Sequence, residues 1–148
     1  MLWIDGKFAK GVEMQALYAL LCAKIERNGK YLAAIRGMSN RIVPDKITRI
    51  APDFHIVFQM RLLPSEWNEE DVYLEIELVD FDGIKVQPNT RHKLTWDKKV
   101  SKPGRPKMYF AAVLMKNIKF EKYSDYELRL KVMDKQLAEI PIYIEQKQ

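Results

Sequence analysis

The sequence predicts an all-β protein: a single antiparallel β-sandwich of about seven or eight strands, preceded by a small extra hairpin. Apolar side chains recur at every second position in several segments, which is typical of strands with one buried face. Turn residues separate these segments at intervals of about 8–12 residues. The segments show no regular alternation of strand and helix, which argues against a parallel sheet.

Composition places the chain among ordinary globular domains. It has 148 residues, of which 47% are apolar and 30% charged, and this excludes a disordered or fibrous chain. One cysteine cannot form an internal disulfide, and no apolar run approaches the roughly 18 residues of a membrane-spanning helix. Asp5 and Lys7 interrupt the first residues, which do not resemble a signal peptide. We expect a cytoplasmic protein without membrane contact.

The first residues are interpreted as an addition to the domain. We expect residues 1–13 to form a hairpin extension and residues 14–148 to form the sandwich. Trp3, Ile4 and Phe8 give the extension its hairpin pattern. A two-stranded hairpin is marginal alone, so these three side chains are candidates for a protein interface.

Two apolar segments leave helix and strand open. Residues 14–25 contain good helix formers. However, Asn28-Gly29 is a tight-turn signal, and residues 31–35 form another apolar run, so a hairpin is the competing interpretation. Residues 108–115 are apolar on both faces, and their aromatic and β-branched side chains favour a strand.

Four segments alternate clearly: residues 54–62, 72–78, 126–132 and 137–145. Asp82-Gly83 follows the second segment and predicts a tight turn. Asp134-Lys135 joins the third and fourth segments into the clearest hairpin of the chain. Pro141 removes a backbone donor, which favours an edge position for the last segment.

One tyrosine refines the fold class. Tyr126 begins the third alternating segment, just after a turn. Immunoglobulin-type sandwiches often have a tyrosine there whose hydroxyl caps a corner. The cysteine–tryptophan–cysteine signature of antibody domains is absent from the sequence. We therefore expect a sandwich that is immunoglobulin-like in the broad sense.

Five features follow one another along the chain: an apolar segment at 17–22, the turn Gly29-Lys30, an apolar segment ending at Gly37, an Asp-x-Asp-Gly turn at 80–83, and a closing hairpin that contains Tyr126. Together they resemble a family of small, uncharacterised bacterial proteins over about residues 16–144. The resemblance implies a compact β-sandwich and a strand rather than a helix over residues 14–25. It implies no catalytic or binding residue. The chain departs from the family's pattern at its N-terminus and in a long basic segment.

That basic segment concentrates the positive charge. The net charge is +5, but residues 85–107 contain eight basic residues and one acid. Their prolines and glycine indicate a loop. A basic loop with an aromatic residue can bind nucleic acid or another polyanion; the alternative is a solvated loop that Trp96 anchors to the domain. The candidate contacts are Arg91, Lys93, Trp96, Lys98, Lys99, Lys102, Arg105 and Lys107.

The sequence contains no recognisable catalytic or ligand-binding motif. His55, His92 and Cys22 do not have the spacing of a metal site. The serines lack a Gly-x-Ser-x-Gly motif, and the glycines form no phosphate-binding loop. We therefore expect no enzyme activity, metal, cofactor or small-molecule substrate.

The acidic residues have a structural interpretation. Glu75 and Glu77 share one face of a predicted strand. We expect them to pair with Arg129 and Lys131 on a neighbouring strand. The acidic segment 66–71 is interpreted as a solvated turn.

The leading hypothesis is a non-enzymatic interaction or assembly module. Exposed sheet edges or the N-terminal hairpin would bind a protein partner or a second copy of the chain, with strand addition as one route. The alternative is nucleic-acid or polyanion binding through the basic loop at 91–107.

Overall fold

The computed structural model describes residues 3–4, 7–8, 14–29, 31–62, 71–96 and 106–147, and the described residues contain strands and turns but no helix. The strands are β1 (Trp3–Ile4), β2 (Lys7–Phe8), β3 (Met14–Asn28), β4 (Tyr31–Met38), β5 (Arg41–Ile42), β6 (Phe54–Leu62), β7 (Tyr73–Val79), β8 (Thr90–Lys93), β9 (Thr95–Trp96), β10 (Lys107–Met115), β11 (Asp125–Val132) and β12 (Lys135–Ile144).

Two five-stranded sheets form the sandwich. One has the order β4-β3-β6-β10-β9 and the other the order β5-β12-β11-β7-β8. Their pairings are antiparallel except for that of β5 with β12. The order β3-β6-β10-β9 corresponds to strands A-B-E-D of an immunoglobulin sandwich, and β12-β11-β7 corresponds to G-F-C. The protein is therefore an immunoglobulin-like β-sandwich, as predicted.

The short strands explain why the sandwich has more strands than alternation predicts. β5 and β9 have two residues each and β8 has four. Segments of this length cannot show a repeating pattern. β1 and β2 pair with each other, with Trp3 opposite Phe8.

Both ambiguous segments are strands. β3 pairs with β6 and with β4, and Gly29 forms the turn to β4 with a φ of 62°. Cross-strand pairing on two sides therefore overrides the helix propensity of residues 14–25. β10 lies between β6 and β9.

The core lies between the two sheets. Ile56, Phe58 and Met60 of β6 are fully buried, as are Leu128 and Leu130 of β11. These residues belong to the alternating segments of the sequence, so alternation identified the buried faces correctly.

Tyr126 forms the predicted corner. Its hydroxyl donates to the carbonyl oxygen of Lys122 at 3.3 Å and accepts from the same residue's backbone N–H at 3.2 Å. Its ring meets Phe120 edge-on, with 4.9 Å between the ring centres. The hydroxyl thereby ties the start of β11 to the preceding turn.

The closing hairpin is confirmed, because β11 pairs with β12 along its length. β5 pairs with β12 only at Tyr143 and Ile144. Pro141 therefore lies in the part of β12 that pairs on one side, which agrees with the predicted edge position.

The prediction of a continuous loop over residues 91–107 is wrong in part. Arg91 and Lys93 lie in β8 and pair with β7, Trp96 lies in β9, and Lys107 begins β10. The flanking prolines signalled a loop, whereas strands this short left no signal of their own. Residues 97–105 lie outside the described residues.

Candidate functional site

A groove follows the edge of β10. β9 pairs with β10 only at Tyr109 and Phe110, so no described strand covers the edge beyond them. The groove has a volume of about 500 Å³, which is within the range of ligand pockets. We call it the β10 groove, and it is lined by Arg27, Arg91, His92, Lys93, Thr95 and residues 110–114.

The strand alternation shows which backbone groups face this groove. The carbonyl of Leu21 accepts from the Ser39 N–H at 3.3 Å, on the side of β3 that faces β4. Successive residues alternate between the two sides of a strand, so Leu20 faces β6 and bonds to its partner Val57. Val57 then has no backbone group directed at Ala112, its partner on β10. The N–H and C=O of Ala112 therefore face the free edge.

Arg27 belongs to β3, which lies on the opposite side of β6 from this edge, and only its side chain reaches the edge. Its Nη2 donates to the carbonyl oxygen of Ala112 at 3.3 Å. β6 lies between β3 and β10, so the Arg27 side chain extends past β6 to reach β10. Val57 points outward from β6 and is nevertheless only 2% exposed. Leu114, two residues beyond Ala112, faces the same edge without a described strand beside it.

The groove is positively charged. Arg27, Arg91 and Lys93 line it, and none of its lining residues is acidic. The Arg91 guanidinium lies over the ring of Tyr73 at 4.2 Å, and Lys93 Nζ is 3.2 Å from a carboxylate oxygen of Asp71. These contacts direct both charged groups toward β7 and the residue before it, and both residues also line the groove.

His92 adds no charge to the groove at neutral pH. Burial lowers the pKa of its imidazole below the ordinary value, because the charged form loses solvation. Its Nε2 lies 3.0 Å from Thr90 Oγ1.

The predicted anion contacts separate into four groups. Arg91 and Lys93 line the β10 groove. Lys107 is only 7% exposed, because it occupies an inward position at the start of β10, so it does not present a solvent-facing cation. Trp96 is described through its backbone pairing with Tyr109. Four contacts lie outside the described residues: Lys98, Lys99, Lys102 and Arg105.

The proposed interface of the N-terminal hairpin lies in a part of the chain described only through the backbone. Trp3 and Ile4 form β1, and Phe8 ends β2. Sequence reasoning missed Arg27, the free edge of β10 and Ala112. Nothing local marks them, because the groove depends on how far β9 extends and on where the Arg27 side chain reaches.

A network of ion pairs occupies the outward face of the second sheet. Glu77 is only 7% exposed. Its carboxylate lies 3.3 Å from Arg129 Nη1, 3.3 Å from Lys131 Nζ and 3.9 Å from Lys85 Nζ. The expected pairing with Arg129 and Lys131 is confirmed for Glu77, whereas Glu75 accepts a hydrogen bond from Asn89.

This network sets the charge state of Glu77. Burial alone raises the pKa of its carboxyl, but the hydrogen bond and charge of Lys131, together with the charge of Lys85, outweigh burial and leave the pKa below its ordinary value. On the same face, a hydrogen bond that Glu127 donates to Glu139 raises the pKa of Glu127. The network matches opposite charges across strands, which is a stabilising arrangement.

Groups for catalysis or metal binding are sparse in the described part of the chain. No three side chains of the metal-ligating types cluster there. Cys22 is buried, and burial raises the pKa of its thiol, so it is a weak nucleophile. None of the described residues forms a helix capable of crossing a membrane.

Comparison with known proteins places the chain in a sequence family. The family of unknown function DUF6941 matches residues 17–145. A search of curated proteins finds no match.

Two solved structures are similar in outline. The crystal structure of an immunoglobulin-like protein from Pseudomonas aeruginosa aligns with 93% of this chain and 100% of its own, with 14% identity and a TM-score of 0.49. A putative beta-galactosidase from Bacteroides fragilis aligns with 68% of this chain and 15% of its own, with 16% identity and a TM-score of 0.33. Both TM-scores are below 0.5, so the fold assignment rests on the strand order.

Proposed function

The chain belongs to DUF6941, a family of unknown function, and we propose that it is a non-enzymatic domain that binds a protein partner in the β10 groove. The observation that carries this proposal is the coincidence of a free strand edge with Arg27, Arg91 and Lys93 along one groove. Unpaired edge groups form hydrogen bonds with another chain, and the cations favour an anionic partner.

The chemistry of the groove supports binding rather than catalysis. Catalysis by proton transfer or by a covalent intermediate requires an acid, base or nucleophile positioned at the substrate. His92 is the one imidazole that lines the groove, burial lowers its pKa, and its Nε2 contacts Thr90. Arg27, Arg91 and Lys93 can hold and orient an anion. We also propose a cytoplasmic location, in keeping with a single cysteine that cannot form an internal disulfide.

Binding of nucleic acid is the second candidate function. The same three cations favour it, because arginine and lysine contact phosphates. Such binding would weaken steeply with salt, since each phosphate contact releases counterions. A protein partner that also forms backbone hydrogen bonds would depend less on salt.

Affinity capture from the native host separates the two candidates. Tagged wild type, Arg91→Glu and Lys46→Glu would be compared at low and high salt, with and without nuclease. Lys46 is an exposed lysine outside the groove, so its reversal gives a matched control. We expect one stoichiometric protein partner with the wild type and Lys46→Glu, retained after nuclease treatment and lost with Arg91→Glu.

Two outcomes would contradict the proposal. Retention of the partner by Arg91→Glu would show that it binds elsewhere. Loss of the captured material after nuclease treatment would make nucleic acid the ligand. Thermal unfolding of each variant would verify that the exposed substitutions leave the domain folded.

A further inference from the structure

We propose that the partner is an extended acidic segment of a protein, and that it adds to the free edge of β10 as a further strand. The inference rests on the proposed function and names the chemistry of the partner. β9 occupies the D position of the sandwich with only two residues. The added segment would continue the sheet where β9 ends.

The free edge has the length and the groups that a strand requires. It runs from residue 111 to residue 115 of β10, which is about 17 Å of extended chain. Ala112 and Leu114 direct their backbone N–H and C=O groups to this edge. A strand placed about 4.8 Å away would bond to both residues.

Arg27 occupies a hydrogen-bonding position that the added strand would take. Its guanidinium donates to the carbonyl of Ala112, as a backbone N–H of an added strand would do. Replacing this contact by a backbone N–H keeps the carbonyl paired and releases Arg27.

Charge complementarity makes the segment acidic. The side chains of a strand alternate between two faces. One face of the added strand would lie beside the outward side chains of Ala112 and Leu114, near Arg27, and the other would face β8. Arg91 and Lys93 line the groove from β8, so carboxylates on the face toward β8 meet these two cations.

Apolar side chains complete the match. Leu114 is 43% exposed on the outward face of β10, and Phe110 on the same face is partly exposed. Apolar residues between the acids would cover these side chains. We therefore assign the groove to a segment that alternates acidic and β-branched residues, which favour strands.

The test uses a defined probe with the full chain. The probe is a capped hexapeptide that alternates valine and glutamate, with two controls: the same peptide methylated at every backbone nitrogen, and a peptide with lysine in place of glutamate. Methylation removes the donors of strand pairing but keeps the side chains. We expect the probe to bind, and each control to bind at least about tenfold more weakly, as loss of about one hydrogen bond or charge contact predicts.

Amide hydrogen exchange locates the bound peptide. Exchange at Ala112 and Leu114 should slow by about tenfold or more in the saturated complex, since both N–H groups become bonded. Arg91→Glu should weaken binding of the probe by about tenfold, and Lys46→Glu should leave it unchanged. No binding at millimolar peptide, equal binding of the methylated peptide, or unchanged exchange at both residues would overturn strand addition.

The experiments can contradict the proposed function and strand addition independently of each other. A host protein that is lost with Arg91→Glu, yet leaves exchange at Ala112 and Leu114 unchanged, would support the groove as the binding site and overturn strand addition. Binding of the probe at the edge together with a host partner insensitive to Arg91→Glu would contradict the proposed function instead.

Discussion

At the scale of single residues, Tyr126 shows how one hydroxyl stabilises a corner. We predict that Tyr126→Phe lowers the free energy of unfolding by about 1 kcal/mol, because it removes two hydrogen bonds to the Lys122 backbone and keeps the ring. Tyr123→Phe is the control, since Tyr123 contacts Arg49 through its ring. Urea unfolding would measure both variants. Equal stabilities would contradict the assigned role of the Tyr126 hydroxyl.

Glu77 determines part of the pH dependence of stability. Its folded-state pKa is lowered, so its contribution is present above the unfolded-state pKa, near pH 4.5, and is lost as pH falls through the folded-state value. We predict that Glu77→Gln lowers the free energy of unfolding at pH 7 by about 1–2 kcal/mol and flattens its decline below about pH 4.

Urea unfolding across this pH range would test the prediction for Glu77. Glu121→Gln is the control, because the side chain of Glu121 is 77% exposed in its pair with Lys119, and exposed pairs contribute little. Parallel stability curves for wild type and Glu77→Gln would rule out the proposed linkage.

These residues differ in how far the sequence could predict them. Tyr126 follows a turn at the start of an alternating segment, so local pattern sufficed to predict its role. The pairing of Glu77 with Arg129 and Lys131 also required the correct choice of neighbouring strands. Arg27 contacts Ala112 across 85 positions of sequence. No spacing rule predicts such a contact, because it depends on the path of the hairpin in three dimensions.

At the scale of elements, β4 depends on a glycine. Gly37 has a φ of 68°, and a Cβ added there would lie 2.9 Å from the Cβ of Ala23 on β3. We predict that Gly37→Ala costs about 2 kcal/mol, from the left-handed backbone conformation together with this close approach. Gly29→Ala should cost about 1 kcal/mol, because Gly29 has a φ of 62° and open space around it.

Chemical denaturation of the two glycine variants provides the comparison. A larger loss for Gly37→Ala than for Gly29→Ala isolates the contact with Ala23, since the backbone conformations are alike. Equal losses would show that the β3–β4 pair relaxes around the added methyl group.

The elements also show which strands alternation can identify and which it cannot. Alternation identified β6, β7, β11 and β12, because each buries one face over seven or more residues. It left β3 open between helix and strand, and it missed β8 and β9. Their residues 90–96 lie among prolines and basic residues that predict a loop.

At the scale of the whole molecule, the groove results from unequal strand lengths. β10 has nine residues, whereas β9 pairs with two of them. The sequence predicts two packed sheets, since alternating segments must bury their apolar faces. It does not predict which edge stays open, because that depends on where each strand stops pairing. The binding site is therefore a property of the assembled sandwich.

The central claim is that a partner binds at the edge of β10. The most direct measurement is amide hydrogen exchange of the full chain, alone and in complex with the protein captured from its host. We predict slowed exchange at Ala112 and Leu114, where edge groups become paired. Slowing confined to the exposed apolar residues Ile47 and Phe81, which are 91% and 78% exposed, would contradict the claim and place the partner elsewhere on the sandwich.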